Sequence, residues 1–351
     1  MLKKIIVFLS FAFILCFSAF AYNPPMAAED SFLFASPFLT SGNAVGGGLL
    51  NPGVWSNEQN PALTAGNQRW QMELGYGGII GEKLSDIKSA SGFGSALRLG
   101  LLFPTRYGVF SGAVQGAFGM PENSGLGNHA TIRAGFAKDI TDEFWFGASL
   151  WGGIQLAPNA WDFGIALDAG AYLKLGSWSF LKDMRLGIVL SNLGKTYKAA
   201  YGIFGSRDKD SFYPAYVSPK VAFAANLLTI DNLHLAFSSG LAFPTFQNAV
   251  FDIGFDAVVF KYVTVNAGWQ IDLRETIQTK QMRIPYVGLQ FTFTADTSGA
   301  QFLANRGWDS TDFTVSALYK NLGKSLNQLT AGAVANFGII DREGPELKLG
   351  D

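Results

Sequence analysis

From Trp70 almost to its end, the chain repeats one pattern: stretches of roughly ten residues in which every second side chain is apolar. A hydrophobic period of two is that of a strand with unlike faces, one for hydrocarbon and one for water. Trp161 to Leu175 shows it plainly. Trp161, Phe163, Ile165, Leu167, Ala169, Ala171, Leu173 and Leu175 alternate with Asp162, Gly164, Ala166, Asp168, Gly170, Tyr172 and Lys174. Val263 to Leu273 repeats it, with Val263, Val265, Ala267, Trp269 and Ile271 set against Thr264, Asn266, Gly268, Gln270 and Asp272.

Weaker copies lie near 70–80, 95–103, 107–119, 130–138, 144–156, 184–193, 219–228, 233–242, 249–259, 284–294, 312–319 and 329–339, about fourteen in all. An even number of strands closes a barrel with both ends on one side. The period is firmer than the count, and twelve or sixteen strands stay open. Only 15% of residues are charged and 48% are hydrophobic. A soluble sandwich of this size would carry more surface charge. The expected fold is therefore all-β, a transmembrane antiparallel barrel spanning 70–339, with its apolar faces turned to outer-membrane lipid. A tail, 340–351, follows it.

Connection lengths give a separate check. Residues 104–106, 139–143, 176–183, 229–232 and 260–262 are short and share one side, as periplasmic turns do. The other side collects 81–94, 120–129, 194–218 and 274–283. Two connections break the rule: 157–160 is short for an outer loop, and 295–311 is long for a periplasmic one. Trp70, Tyr107, Phe144, Trp145, Trp161 and Tyr262 stand near strand ends, where a girdle of aromatic rings is expected. Glycine runs such as Gly75-Tyr76-Gly77-Gly78 lie inside strands, where they relieve crowding rather than cradle phosphate.

Residues 1–21 read as an export signal: Lys3-Lys4, an apolar run from Ile5 to Phe17, then small residues before a cut after Ala21. The one cysteine, Cys16, leaves lipidation as the alternative, but Leu15 is bulky where a small residue is usual. Residues 22–69 lack alternation and precede the first strand, so a hatch of helix and coil within the lumen is expected there. Asn60 can cap a helix that begins at Pro61, since proline has no amide hydrogen to lose at that position.

A hatch segment bearing Asn60-Pro61-Ala62 ahead of about fourteen strands resembles the long-chain fatty-acid transporters of the FadL type. It resembles more closely their uncharacterised spirochaete relatives and the PorV-like barrels. Leu186-Gly187-Ile188-Val189-Leu190-Ser191-Asn192-Leu193-Gly194 is similar to an Asn-Leu-Gly strand end in that group. The resemblance implies a hatch that blocks the lumen, hydrophobic ligands such as fatty acids that leave sideways through the wall, and a gating role for Asn60, Pro61 and Ala62. The plainer reading is that these three only start a helix and lock the plug. The chain departs from the group in its short 157–160 connection and in lacking a terminal aromatic. Thr330, Gly332, Ala335 and Phe337 have the spacing of a signal for the barrel-assembly machinery, with Phe337 as the barrel's final aromatic.

The connection 194–218 gathers Tyr197, Tyr201, Phe204, Phe212, Tyr213 and Tyr216 beside Arg207, Lys209 and Lys220. Aromatics with nearby cations suit a fatty acid, whose chain wants apolar cover and whose carboxylate wants a positive partner. A loop packed on its own aromatics is the alternative. Glu73, Arg98, Arg133, Asp162, Asp168, Asp252, Asp256 and Asp272 are expected in the lumen, pairing with one another and with the hatch rather than selecting ions.

No basic face speaks for nucleic acid. With His129 and His234 the only histidines, neither an enzyme nor a metal site is expected, and no cofactor. His234 and Ser238 share a strand face about 13 Å apart, too far for proton transfer. Passive transfer of hydrophobic molecules is the leading reading. The alternative is a barrel that docks a secreted or surface protein, as PorV-like relatives do.

Overall fold

The computed structural model describes residues 36–38, 47–67, 69–81, 92–120, 127–157, 160–198, 212–296, 299–301, 310–323 and 326–338. Residues 1–21, read from sequence as an export signal, Tyr201, Phe204, Arg207 and the expected tail 340–351 lie outside them.

Fourteen antiparallel strands close into one barrel, in chain order except that two short strands leave the wall. The wall comprises β1 (Trp70–Gly81), β2 (Gly92–Thr105), β3 (Gly108–Phe118), β4 (Asn128–Asp139), β5 (Phe144–Ala157), β6 (Ala160–Trp178) and β7 (Leu181–Lys195). It continues with β10 (Ser218–Ile230), β11 (Leu233–Ala242), β12 (Val250–Val259), β13 (Val263–Asp272), β14 (Tyr286–Asp296), β15 (Ser310–Gly323) and β16 (Leu326–Phe337). Between β7 and β10, β8 (Tyr197–Lys198) pairs only with β9 (Phe212–Tyr213). Closure runs from Trp70↔Phe337 to Gly81↔Leu326, so Phe337 is the last paired residue of the wall.

The alternation sorts the side chains as expected. Leu74, Ile132 and Phe163 are half or more exposed or nearly so, at 58%, 62% and 47%. Such a surface is stable only against lipid. At the short-turn end Tyr107, Trp178, Phe180, Phe260 and Tyr262 project outward as the girdle. Trp145 does not join them. It follows outward-facing Phe144, so the pleat turns it inward, onto Tyr172 at 4.4 Å between ring centroids. No described helix is long and apolar enough to cross a membrane, a statement that leaves membrane-crossing strands untouched.

Candidate functional site: a lumen stoppered at both ends

At the short-turn end the lumen holds the segment read from sequence as a hatch, and that name is kept for it below. It is built from a 3-10 turn at Gly47–Leu49, helix α1 at Ser56–Gln59 and a 3-10 helix at Pro61–Gly66. Asn60 acts twice here. Its Oδ1 accepts from the Ala62 amide at 3.1 Å, capping the 3-10 helix, while its Nδ2 donates to the Ala171 carbonyl of β6 at 3.0 Å. Pro61 occupies the first helical position, and Ala62 and Leu63 are fully buried. The residues expected as hatch are thus a stapled contact between plug and wall.

The wall makes room for that contact with glycine. A Cβ on Gly147 would stand 2.6 Å from the Ala62 nitrogen and the Pro61 carbonyl carbon, and one on Gly170 2.0 Å from Asn60 Oδ1. The two glycines face each other across β5 and β6. On β4, a Cβ on Gly135 would meet Asn57 Oδ1 at 2.4 Å.

Buried charges tie the hatch down further. Arg98 of β2 bonds Glu73 of β1 at 2.8 Å and Glu58 of α1, while Ser36 donates to the other Glu73 oxygen. Arg133 pairs with Asp168 and reaches Ser149 at 3.0 Å and the Asn57 carbonyl at 3.5 Å. Burial pushes the Glu58 carboxyl above the usual carboxylate range, against the opposing pull of Arg98 and Arg133. Of the residues read from sequence as lumen charges, Glu73, Arg98, Arg133 and Asp168 pair with one another or with the hatch, whereas Asp256 accepts from Asn266 and Asp252 from Tyr286. Asp162 pairs with Lys195 at 2.6 Å, and Asp272 caps the short helix α2 (Leu273–Thr279) by accepting from Glu275.

Replacing Asn60 by alanine removes one cap and one bond to the wall, each worth about 1 kcal/mol. We expect amide exchange of residues 61–66 to quicken several-fold while exchange of the wall strands stays unchanged. Equal protection of the helix in both proteins would show the staple to be idle.

At the opposite end the described parts of the connection after β7 pack into the lumen. Asn192 sits at φ 60°, in the left-handed region that asparagine tolerates, and opens a bulge in the β6–β7 ladder. Every polar group of this residue is used. Its amide donates to Asp168 at 2.6 Å and its side-chain amide to the Ala215 carbonyl at 3.0 Å. Its Oδ1 accepts from Trp151 at 3.1 Å, and its carbonyl accepts from Val217 at 3.2 Å. The chain then turns into the lumen as β8 and β9. Tyr197 and Tyr213 are fully buried there with Trp151, Ile79, Leu322 and Leu326. Gly153 and Gly164 leave space for them: a Cβ on Gly153 would fall 2.1 Å from the Tyr197 hydroxyl oxygen. Gln155 donates to the Tyr213 hydroxyl, and burial pushes both phenols well above their ordinary range.

The expected ligand cluster is therefore divided. Tyr213 is a packing residue of the inner stopper. Phe212 and Tyr216 are half-buried and touch edge to face at 5.7 Å. Lys220 faces the lumen from β10. Sequence reading noticed Asn192 only as part of a strand-end motif. Its left-handed backbone was signalled by asparagine ahead of Leu193-Gly194, but the partners Trp151 and Ala215 come from distant segments.

The hatch is off-centre. Its 3-10 helix packs on β3 to β6. Between it and the far wall lies a cavity of about 690 Å³, lined among others by Asn51, Trp55, Arg185, His234, Asp256 and Gln290. Asn51 reaches Gln290 at 3.4 Å, Gln290 reaches Asn266 at 3.4 Å, and Asn266 donates to Asp256 at 3.1 Å.

One seam of the wall is incomplete. β13 and β14 pair only from Val263↔Phe291 to Gly268↔Tyr286. Pro285, next in line, has no amide hydrogen to give. Beyond it the two sides are joined through side chains. Trp269 Nε1 donates to the Arg283 carbonyl at 2.6 Å, and the Arg283 guanidinium bonds Gln270 at 3.3 Å and Glu275 at 2.6 Å.

No protein-family model matches the chain, and neither does any curated protein sequence. Solved structures do match. The Pseudomonas putida toluene transporter TodX is 13% identical, with 91% of this chain and 99% of that chain covered, at a TM-score of 0.50. A TodX deltaS2S3 mutant, titled a monoaromatic hydrocarbon channel, is 12% identical over 86% of this chain and 97% of that chain, at 0.51. A Pseudomonas aeruginosa FadL homologue is 11% identical over 91% and 99%, at 0.43. The chain has the fold of the toluene transporter TodX.

Proposed function

We propose that this barrel carries hydrophobic molecules across an outer membrane by diffusion. The observation that best supports the reading is the β13–β14 seam. A closed barrel normally satisfies every wall amide with a neighbouring strand. Here, above Gly268↔Tyr286, polar side chains hold the wall together instead. Leu273, Met282 and Ile284 flank that stretch and are about half exposed or more, so its outer surface is apolar. A nonpolar solute could pass there after displacing a few side chains, without breaking a strand ladder. Both stoppers fit the same reading, because they deny ions a straight aqueous path through the described lumen. Long-chain fatty acids are the first substrates to test, from the sequence resemblance, and monoaromatic hydrocarbons the second, from the fold of TodX. Asn60, Pro61 and Ala62 would then hold the hatch that limits entry to the periplasm. Tyr201, Phe204, Arg207, Phe212 and Tyr216 would gather ligand at the outer mouth.

The test is uptake of labelled oleate and toluene by cells lacking other channels for them. Expression should raise the initial rate several-fold. Joining the seam by Gln270→Cys with Arg283→Cys should lower it, and a reductant should restore it. Rates equal to those of cells without the barrel would reject the transfer reading. Replacing Phe204 and Phe212 with serine should slow oleate uptake, and an unchanged rate would remove the capture role.

A further inference from the structure

A second, smaller cavity of about 330 Å³ opens at the hatch end, next to the larger one across the Leu49–Pro52 stretch. Its floor is apolar: Leu49 and Leu63 come from the hatch, Trp145 and Tyr172 from the wall. Its rim is charged. Lys174 follows Tyr172 two residues along β6, so the pleat aims it at the same interior face, where β6 nears its turn. The Lys174 ammonium stands over the Trp145 ring, 4.9 Å from its centroid. Among the described residues no carboxylate lies within ion-pair distance of it. Asp183, the carboxylate lining the cavity, is engaged by Arg185, which also donates to the Leu49 carbonyl at 2.7 Å. Asp183 and Arg185 cancel, and the niche carries one net positive charge above an aromatic floor.

We infer that this niche is a binding site for a monoanionic amphiphile, a carboxylate joined to a short alkyl or aryl body. Lys174 holds the carboxylate, and the body lies on Trp145, Tyr172 and Leu63. Two facts select that class. The volume is at the low end for ligand sites, which suits a short body rather than a whole long chain. The one cation of the described lining not already in an ion pair, Lys174, sits at the edge of apolar surface, where a carboxylate supplies a countercharge that a neutral hydrocarbon cannot. The ligand would touch wall and hatch together, so its binding favours the seated hatch over any displaced state. The inference rests on the transfer reading only for expecting amphiphiles at this protein, and the test below measures binding rather than uptake.

The full barrel in lipid nanodiscs is titrated with octanoate, octan-1-ol and octylammonium, followed by tryptophan fluorescence and calorimetry. Octanoate should bind saturably and protect the hatch from protease, and the alcohol and the amine should bind at least tenfold more weakly. Lys174→Gln should lose about tenfold in octanoate affinity, the weight of one charge-assisted hydrogen bond, whereas Lys174→Arg should keep it. Lys174 is exposed, so neither change threatens folding. Octanoate binding equally well to Lys174→Gln, or octan-1-ol binding as well as octanoate, would overturn the site. Octanoate binding without uptake of either oleate or toluene in cells would reject the transfer reading and leave the niche standing, and uptake without octanoate binding would do the reverse.

Discussion

Gly147→Leu should unseat the hatch while leaving the barrel closed. The new Cβ alone would stand 2.6 Å from backbone atoms of Pro61 and Ala62, and those cannot rotate away as a side-chain tip can. Overpacking a filled interior costs about 1–3 kcal/mol where neighbours can adjust. Here the yielding element is the hatch, because β5 is held by ladders on both sides. We expect the variant to remain heat-modifiable on gels, as a folded barrel is, and its segment 47–67 to become cleavable by added protease. Its conductance in planar bilayers should stay low, because the packed Tyr197 and Tyr213 at the other end are untouched. Gly152→Leu provides the contrast, since the nearest atom to its Cβ is a Gly164 carbonyl oxygen at 3.8 Å. Unchanged protease protection in Gly147→Leu would mean that the glycine pair does not seat the plug.

Arg98→Met should cost more than any other single change in the hatch anchor. It leaves Glu58 and Glu73, both buried, without the guanidinium that joins them. Removing one partner of a buried ion pair costs about 3–5 kcal/mol. The loss should appear as a lower temperature of hatch release, read by protease sensitivity during heating. Adding Glu58→Gln to Arg98→Met should recover much of it by removing one stranded charge. Acidity should matter in the same direction. The Glu58 value is raised in the folded protein from 4.5, so its contribution to docking is fully present below that pH and is lost as pH rises through the folded value. The Arg98→Met defect should therefore shrink as the pH falls toward 4.5. A variant whose hatch releases at the parent's temperature at neutral pH would show that Arg98 anchors nothing.

The wall was legible because its rule is local. The two-residue period of β6 and β13 survives in the structure from Trp161 to Leu175 and from Val263 to Asp272, and turn parity agrees with it. The Asn60-Pro61 cap was legible for the same reason, since proline after asparagine states a start wherever it occurs. Trp145 shows where reading by composition fails: an aromatic at a strand end belongs to the girdle only if the pleat sends it outward. The inner stopper was hidden for a different reason. Tyr197 and Tyr213 look like surface-loop aromatics, and only the holes left by Gly153 and Gly164, on other strands, draw them inside. The β13–β14 seam likewise depends on Pro285 falling opposite Trp269, and register is not written in either segment alone.

The off-centre seat of the hatch separates what must stay fixed from what can shift. Its anchors, Asn60 on β6 and Glu58 on Arg98, hold one flank, while the stretch from Leu49 to Pro52 stands between the two cavities. Pro52 and Arg185 line both chambers. A small swing of that lip, with Arg185 releasing the Leu49 carbonyl and Asn51 releasing Gln290, would merge the chambers and leave the Asn60 and Glu58 anchors intact. The plug would then work as a door hung on one jamb, never leaving the frame.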